Sequence, residues 1–465
     1  MPGPGGRVSL IGRAGAPPRP PRAAGAAPAP SGGAGRWATR LEWAALTAMA
    51  AALAASPGYV VRYVIDGRLP TDLLEIFLGV AILIGLLATR GLVPWRNPYT
   101  WPAALLLVAA TVEVVVAPST RQALGLWKDY FVEPALAGLL IAALVRTRAR
   151  ARLLLAGLAV AGMIAAGANI GHALVLLSQH RFQVLAPPVV IYDSPNAIPL
   201  YLVPLDAIAI ALLLFSETLW ERIACAVFLL VTATAVLLSY SRGGWIALAA
   251  VVVFVALFTV YRWQTVLAVV GAATVAVVSS AGIRRRILVE FNPASSHNSA
   301  STRFELWRST LNLLRHHPLT GSGLAGFKSA LVPYQVRGYV TGSIYPHDIV
   351  LNFWVETGLL GLVAFVWLMV QVARASTGGL GRDRWTRALC IGVLGALVAL
   401  VVHGAVDVPY FKNDQALAFW AILGIQLGVL GWARAGGPAA ASVPPGGDQP
   451  AGGALAGRSQ PMTPS

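Results

Sequence analysis

Apolar residues along this chain come in long runs separated by short polar punctuation. Twelve runs stand out, over 38–57, 73–89, 99–117, 126–145, 152–176, 196–215, 220–238, 244–261, 264–281, 349–372, 387–406 and 415–433. A membrane-spanning helix needs about 20 mostly apolar residues, and these runs are close to that length. The pattern predicts an all-α polytopic membrane protein with about twelve transmembrane helices. The run at 126–145 is the weakest, because Lys128, Asp129 and Glu133 fall near its start.

The polar remainder sets the organisation. Residues 1–36 hold Pro, Gly, Ala and Arg with few large apolar side chains, so they predict a disordered cytoplasmic tail. They do not read as a signal peptide, since the apolar run starts late and continues into a full span. Helices one to nine then occupy 37–281, one long loop 282–348, and helices ten to twelve 349–435. A second disordered cytoplasmic tail covers 436–465.

Charge bias gives an orientation. With the amino terminus in the cytoplasm, the cytoplasmic short loops hold twelve basic residues and the opposite short loops six. By the positive-inside rule both termini lie inside and the 282–348 loop faces outward. Composition agrees, with 57% hydrophobic and 12% charged residues against about 25% charged in a soluble domain. The net charge of +16 lies in tails and short loops, so it argues for topology and not for nucleic acid. Cys225 and Cys390 each sit inside an apolar run and form no metal or redox pattern.

The unusual polar residues choose the outer side. Tyr192 to Asn196 opens the sixth helix, and Ser239 to Gly244 forms a tight turn between the seventh and eighth. Arg303, His316, His317 and Lys328 lie in the long loop, and His347 stands where that loop enters the tenth helix. His403 and Asp407, four apart, are expected on one face at the outer end of the eleventh helix. All are placed to converge on one outward-facing cavity. Arg242, between Ser241 and two glycines, is the sharpest case. An arginine at a helix–turn–helix tip needs a counter-ion or an aqueous cavity, although it can also snorkel to lipid headgroups. Other motifs carry less. Gly321-Ser-Gly-Leu-Ala-Gly326 matches a dinucleotide fingerprint, but no strand precedes it. No acidic pair stands on the outer face to hold a metal.

Taken in order, Ser194-Pro-Asn196, Ser241-Arg-Gly243, Arg303-Phe-Glu-Leu-Trp307, His317 to Gly323, His347, Glu356 to Gly361 and His403-x3-Asp407 resemble the O-antigen ligase and polymerase (Wzy-like) superfamily of bacterial membrane glycosyltransferases. That family carries a histidine, an amide or hydroxyl residue, nine further residues, a glycine, two residues and a glycine. His347, Gly358 and Gly361 meet the pattern, whereas Asp348 departs at its second position. The resemblance implies a GT-C-like fold in the bacterial inner membrane and a metal-independent transfer with no cofactor. The donor would be a glycan on an undecaprenyl diphosphate carrier. The acceptor would be a lipid A–core sugar, another lipid-linked glycan or a protein hydroxyl. Ligase, polymerase and protein O-oligosaccharyltransferase remain open on these residues, and a secondary transporter or flippase is the alternative from another class. A guanidinium meets two phosphate oxygens at once, so Arg242 and Arg303 are the expected diphosphate ligands. His347 is the candidate base, with Asn196, Ser241, Asp348, His403 and Asp407 supporting. Gly358 and Gly361 are expected to let the tenth helix pack closely on a neighbour and so aim His347.

Overall fold

The computed structural model describes residues 33–60, 70–90, 93–292, 298–336 and 343–434. The tails expected over 1–36 and 436–465 fall outside these residues, apart from 33–36, which are already helical. The chain divides into a unit of 1–40 and one of 41–465; all that follows concerns the second.

Among the described residues the regular structure is helical. The α-helices are α1 (Gly33–Ala55), α2 (Pro70–Thr89), α3 (Thr100–Val116), α4 (Thr120–Trp127), α5 (Glu133–Leu144), α6 (Arg148–Ser178), α7 (Ala197–Phe215), α8 (Leu219–Leu238), α9 (Arg242–Ala256), α10 (Arg262–Ser279), α11 (Ala281–Leu288), α12 (Ser299–His316), α13 (Phe327–Ala330), α14 (Ile349–Gly379), α15 (Arg384–Gly404) and α16 (Asn413–Arg434). Every apolar run coincides with a helix. The weak run at 126–145 is α4 and α5 joined by a wide π-helical turn at Lys128–Val132, where the charged residues sit. Among the described residues seven helices (α6, α7, α8, α10, α14, α15 and α16) are long and apolar enough to cross a membrane, and three shorter apolar helices join them. The protein is a polytopic membrane protein; the count of twelve spans is an expectation, of which seven meet this measure. The long 282–348 segment is not simply a loop, since it holds α12, α13 and most of α11.

α12 forms because Leu306, Thr310, Leu313 and Leu314 fall on one helical face, and all four are buried. Leu306, Leu313 and Leu314 pack with Phe327, Leu331 and Val355, so α12 is pinned to the start of α14. At the other pole, Arg146 and Arg150 pair with Glu42 at 3.0 and 2.8 Å, Arg148 with Asp383 at 2.7 Å, and Arg152 with Glu221 at 3.1 Å. In two of these pairs, Arg146–Glu42 and Arg152–Glu221, the arginine is solvent-exposed, and such pairs contribute about 0–1 kcal/mol each. They do show that the loops assigned to one side by charge share one end of the bundle.

α14 is broken at Gly358, whose φ of +66° lies in the left-handed region that favours glycine. The 319–326 segment wedges into the break. Leu359 N donates to Leu319 O at 2.9 Å, Ser322 N to Val355 O at 2.8 Å, Leu324 N to Glu113 O at 3.2 Å and Ala325 N to Glu356 Oε2 at 2.6 Å. The fingerprint-like glycines therefore shape a wedge whose amides are occupied by protein acceptors. This corrects the expected role of Gly358, which makes a kink and not a flat helix contact. Gly361 does face α3, where a Cβ would lie 3.5 Å from Ala109 Cβ.

Candidate functional site

At the pole opposite the Glu42 and Asp383 ion pairs, five short stretches bring their polar side chains together. The first is the turn between α8 and α9. Ser241 caps α9, its Oγ accepting from Gly244 N at 3.2 Å, and Arg242 is the helix's first residue. Arg242 Nη2 donates to Ser299 Oγ at 2.8 Å and Nη1 to Arg286 O at 3.0 Å, and Nη1 also pairs with the Glu290 carboxylate.

The second and third stretches are the end of α11 and the start of α12. Ser299 Oγ also accepts from Arg303 Nη1 at 2.9 Å, so one hydroxyl joins both arginines. Arg303 Nη2 lies 3.9 Å from Asp407 Oδ2. One turn further along α12, Trp307 Nε1 donates to Pro346 O at 3.0 Å and so holds the strand of chain that delivers His347.

His347, the fourth, has a left-handed backbone, φ +53°, unusual for a side chain-bearing residue. It precedes Asp348, whose Oδ1 accepts from Leu351 N at 2.8 Å. That carboxylate is therefore a helix cap, which fits the departure from the family pattern at this position. The ring of Tyr345 flanks His347 at 4.6 Å.

The fifth stretch is the turn after α15. Asp407 Oδ1 accepts from His347 Nδ1 at 3.3 Å and from Val408 N at 2.9 Å. The expected His403–Asp407 pairing on one helical face is corrected here. α15 ends at Gly404, so Asp407 lies beyond it in the turn and swings to His347 and Arg303. His403 is 2% exposed and packs against Gly243, where a Cβ would lie 2.8 Å from its Cδ2. Asn196 stands at the start of α7, half-buried, and makes no side-chain cap.

The electrostatics follow from burial and neighbours. Burial raises the Asp407 carboxyl, but His347, His403 and Arg303 outweigh it and pull it down to about 2. Burial likewise opposes the charged form of Glu290, yet the Ala300 and Ser299 amides and Arg242 hold its carboxyl below the usual range. Burial and the neighbouring Arg242 draw both Arg286 and Arg303 below their ordinary values, with Asp407 opposing the shift at Arg303. Three arginines against two carboxylates leave the cluster with surplus positive charge. Sequence reasoning missed Arg286, Glu290 and Ser299; a signal for Glu290 was a lone acid following three successive arginines. No group of three or more His, Cys, Asp or Glu is gathered to hold a metal among the described residues.

Two cavities bear on binding. An apolar one of about 370 Å³, lined by residues such as Trp95, Phe131 and Trp420, shares no residue with the cluster. An open groove of about 540 Å³ between Phe182–Ala186 and the start of α11 flanks it. Tyr240 makes the link, its ring tilted against Phe182 at 5.9 Å and its backbone oxygen accepting from Arg286 Nε at 3.3 Å. The second is the better candidate for a polar ligand, because charged donors stand at its edge.

Comparison with known proteins adds two findings. A Haemophilus influenzae protein described only as uncharacterized is 26% identical over 225 residues, which cover 44% of this chain and 53% of that protein. The chain thus spans about half the length of that relative. Residues 226–366 match the family model described as O-antigen ligase, and this segment contains Arg242, Glu290, Ser299, Arg303 and His347. That match supports a relation of residues 226–366 to the O-antigen ligase/Wzy-like superfamily.

Proposed function

We propose that this protein is a glycosyltransferase of the bacterial inner membrane that moves a glycan from an undecaprenyl diphosphate carrier to an acceptor hydroxyl at the periplasmic face, in the manner of an O-antigen ligase. The observation that carries the reading is the shared cluster. Two guanidiniums meet on Ser299 Oγ, and one of them also faces the carboxylate that receives His347 Nδ1.

The chemistry follows from that arrangement. Negative charge grows on the leaving diphosphate as its bond to the sugar breaks, and preorganised arginines stabilise it without reorganisation. Arg242 and Arg303 take that role. With Nδ1–H donated to Asp407, His347 leaves Nε2 to accept the acceptor hydroxyl's proton, and Asp407 balances the imidazolium that forms. In this reading no divalent cation takes part. A polymerase or a protein O-oligosaccharyltransferase of the same superfamily would use the same cluster and differ in acceptor.

The test is turnover and lipid-donor binding measured side by side for His347→Ala and His347→Gln. A base removed slows turnover by about 10²–10⁴-fold and leaves donor binding intact in both variants. A glutamine variant near wild-type activity would show that the imidazole only hydrogen-bonds.

A further inference from the structure

Arg242 already holds an anion, and the anion is the protein's own. Glu290 pairs with Arg242 Nη1, and its two oxygens also receive three donors from the start of α12. Oε1 accepts from Ser299 N at 3.2 Å and Ser299 Oγ at 3.3 Å, and Oε2 from Ala300 N at 2.7 Å. Backbone amides, a hydroxyl and a guanidinium converging on paired oxygens form a coordination that suits a phosphate equally well.

We infer that Glu290 is a resident counter-ion occupying the place of one donor phosphate, and that donor binding displaces it. The inference rests on the reading of Arg242 as a diphosphate ligand. Geometry favours the exchange. Both terminal nitrogens of Arg242 are engaged, Nη1 with Glu290 and Arg286 O, Nη2 with Ser299. A diphosphate cannot take the end-on Nη1/Nη2 fork with two oxygens while Glu290 remains. Charge points the same way. With Glu290 in place, the three arginines face two carboxylates; a dianionic diphosphate added on top would leave the cluster net negative. With Glu290 withdrawn, the arginines and the diphosphate come close to balance.

The displacement has a structural consequence. Glu290 sits in the single 3-10 turn Val289–Phe291 that follows α11, and its backbone oxygen accepts from Asn298 Nδ2 at 3.1 Å. α11 carries Arg284, Arg285 and Arg286 and borders the open groove. Release of Glu290 therefore removes one tether from the segment that follows α11, the helix that forms one wall of the groove. In the resting protein the same carboxylate neutralises Arg242 and keeps the site from collecting stray anions.

The experiment is binding of farnesyl diphosphate to the detergent-solubilised full-length protein, for wild type, Glu290→Gln and Arg242→Ala. Glutamine keeps the shape and an acceptor oxygen but removes the competing charge. Relief of such competition should tighten binding by about tenfold. Equal or weaker binding by Glu290→Gln, with wild-type binding that Arg242→Ala abolishes, overturns the counter-ion role and leaves the donor reading standing. Wild-type binding indifferent to Arg242→Ala removes the donor reading and this inference with it. Hydrogen exchange of the wild-type protein covers the case of an unstable variant. Amides of 286–292 should exchange faster when farnesyl diphosphate is added; unchanged or slower exchange overturns the proposal.

Discussion

Replacing Asp407 by asparagine separates the charge of this residue from its shape. The carboxylate is 2% exposed, receives His347 Nδ1 at 3.3 Å and faces Arg303 at 3.9 Å. Unit charges about 4 Å apart at an effective dielectric near 20 attract by about 4 kcal/mol. Half of a broken buried pair costs about 3–5 kcal/mol. Arg303 keeps Ser299 as a partner and is 18% exposed, so the stability loss should be smaller, about 1–2 kcal/mol. The larger effect falls on turnover. Asparagine still accepts from His347 but cannot balance an imidazolium. Losing roughly 3 kcal/mol of that stabilisation slows turnover by about 10²-fold. The assay is turnover at saturating acceptor, with donor binding and thermal midpoint measured on the same preparation. Wild-type turnover in a folded Asp407→Asn protein would refute the reasoning, as would a loss explained wholly by donor binding. Acid adds a second readout. The folded carboxyl lies at about 2, below its unfolded value of about 3.9. Its stabilising contribution is thus full above pH ~4 and lost as pH falls toward ~2. The variant's midpoint should fall less over that window.

Other outcomes follow from the same structure. Gly358→Ala should destabilise by about 2–4 kcal/mol and lower the folded yield, because φ is +66° and a Cβ would lie 2.5 Å from Leu319 O. Cysteines at the exposed positions Arg308 and Lys328 should label from outside, and those at Arg148 and Arg384 should not; external labelling at either of the latter overturns the orientation. Transfer should survive EDTA, and loss with rescue by magnesium or manganese would mean that cation ligands take part.

The helices were legible because each apolar run is long enough to define its own element. The helices of the 282–348 segment were the exceptions, α12 above all, since it lies within a polar stretch. Its signal was the spacing of Leu306, Thr310, Leu313 and Leu314, a helical face without a continuous apolar run. The candidate residues Arg242, Arg303, His347 and Asp407 could be singled out by type and motif, but not their pairings. His347 and Asp407 are 60 residues apart, and they meet only because α15 stops at Gly404 and frees the turn that follows. The Arg242–Glu290 pair depends on α12 starting where Ser299 and Ala300 can receive Glu290. Gly358 read as a small packing residue because its positive φ leaves no mark in sequence.

In the proposed mechanism paired guanidiniums hold the diphosphate of a lipid-linked glycan donor for transfer. Its most direct test is transfer in proteoliposomes loaded with purified undecaprenyl diphosphate-linked oligosaccharide, comparing wild type with Arg242→Lys and Arg303→Lys. Lysine keeps the charge but loses the two-pronged contact. The wild type should transfer glycan, and both variants should lose most of that transfer at normal membrane levels. Transfer by Arg242→Lys and Arg303→Lys at the wild-type rate would contradict the mechanism.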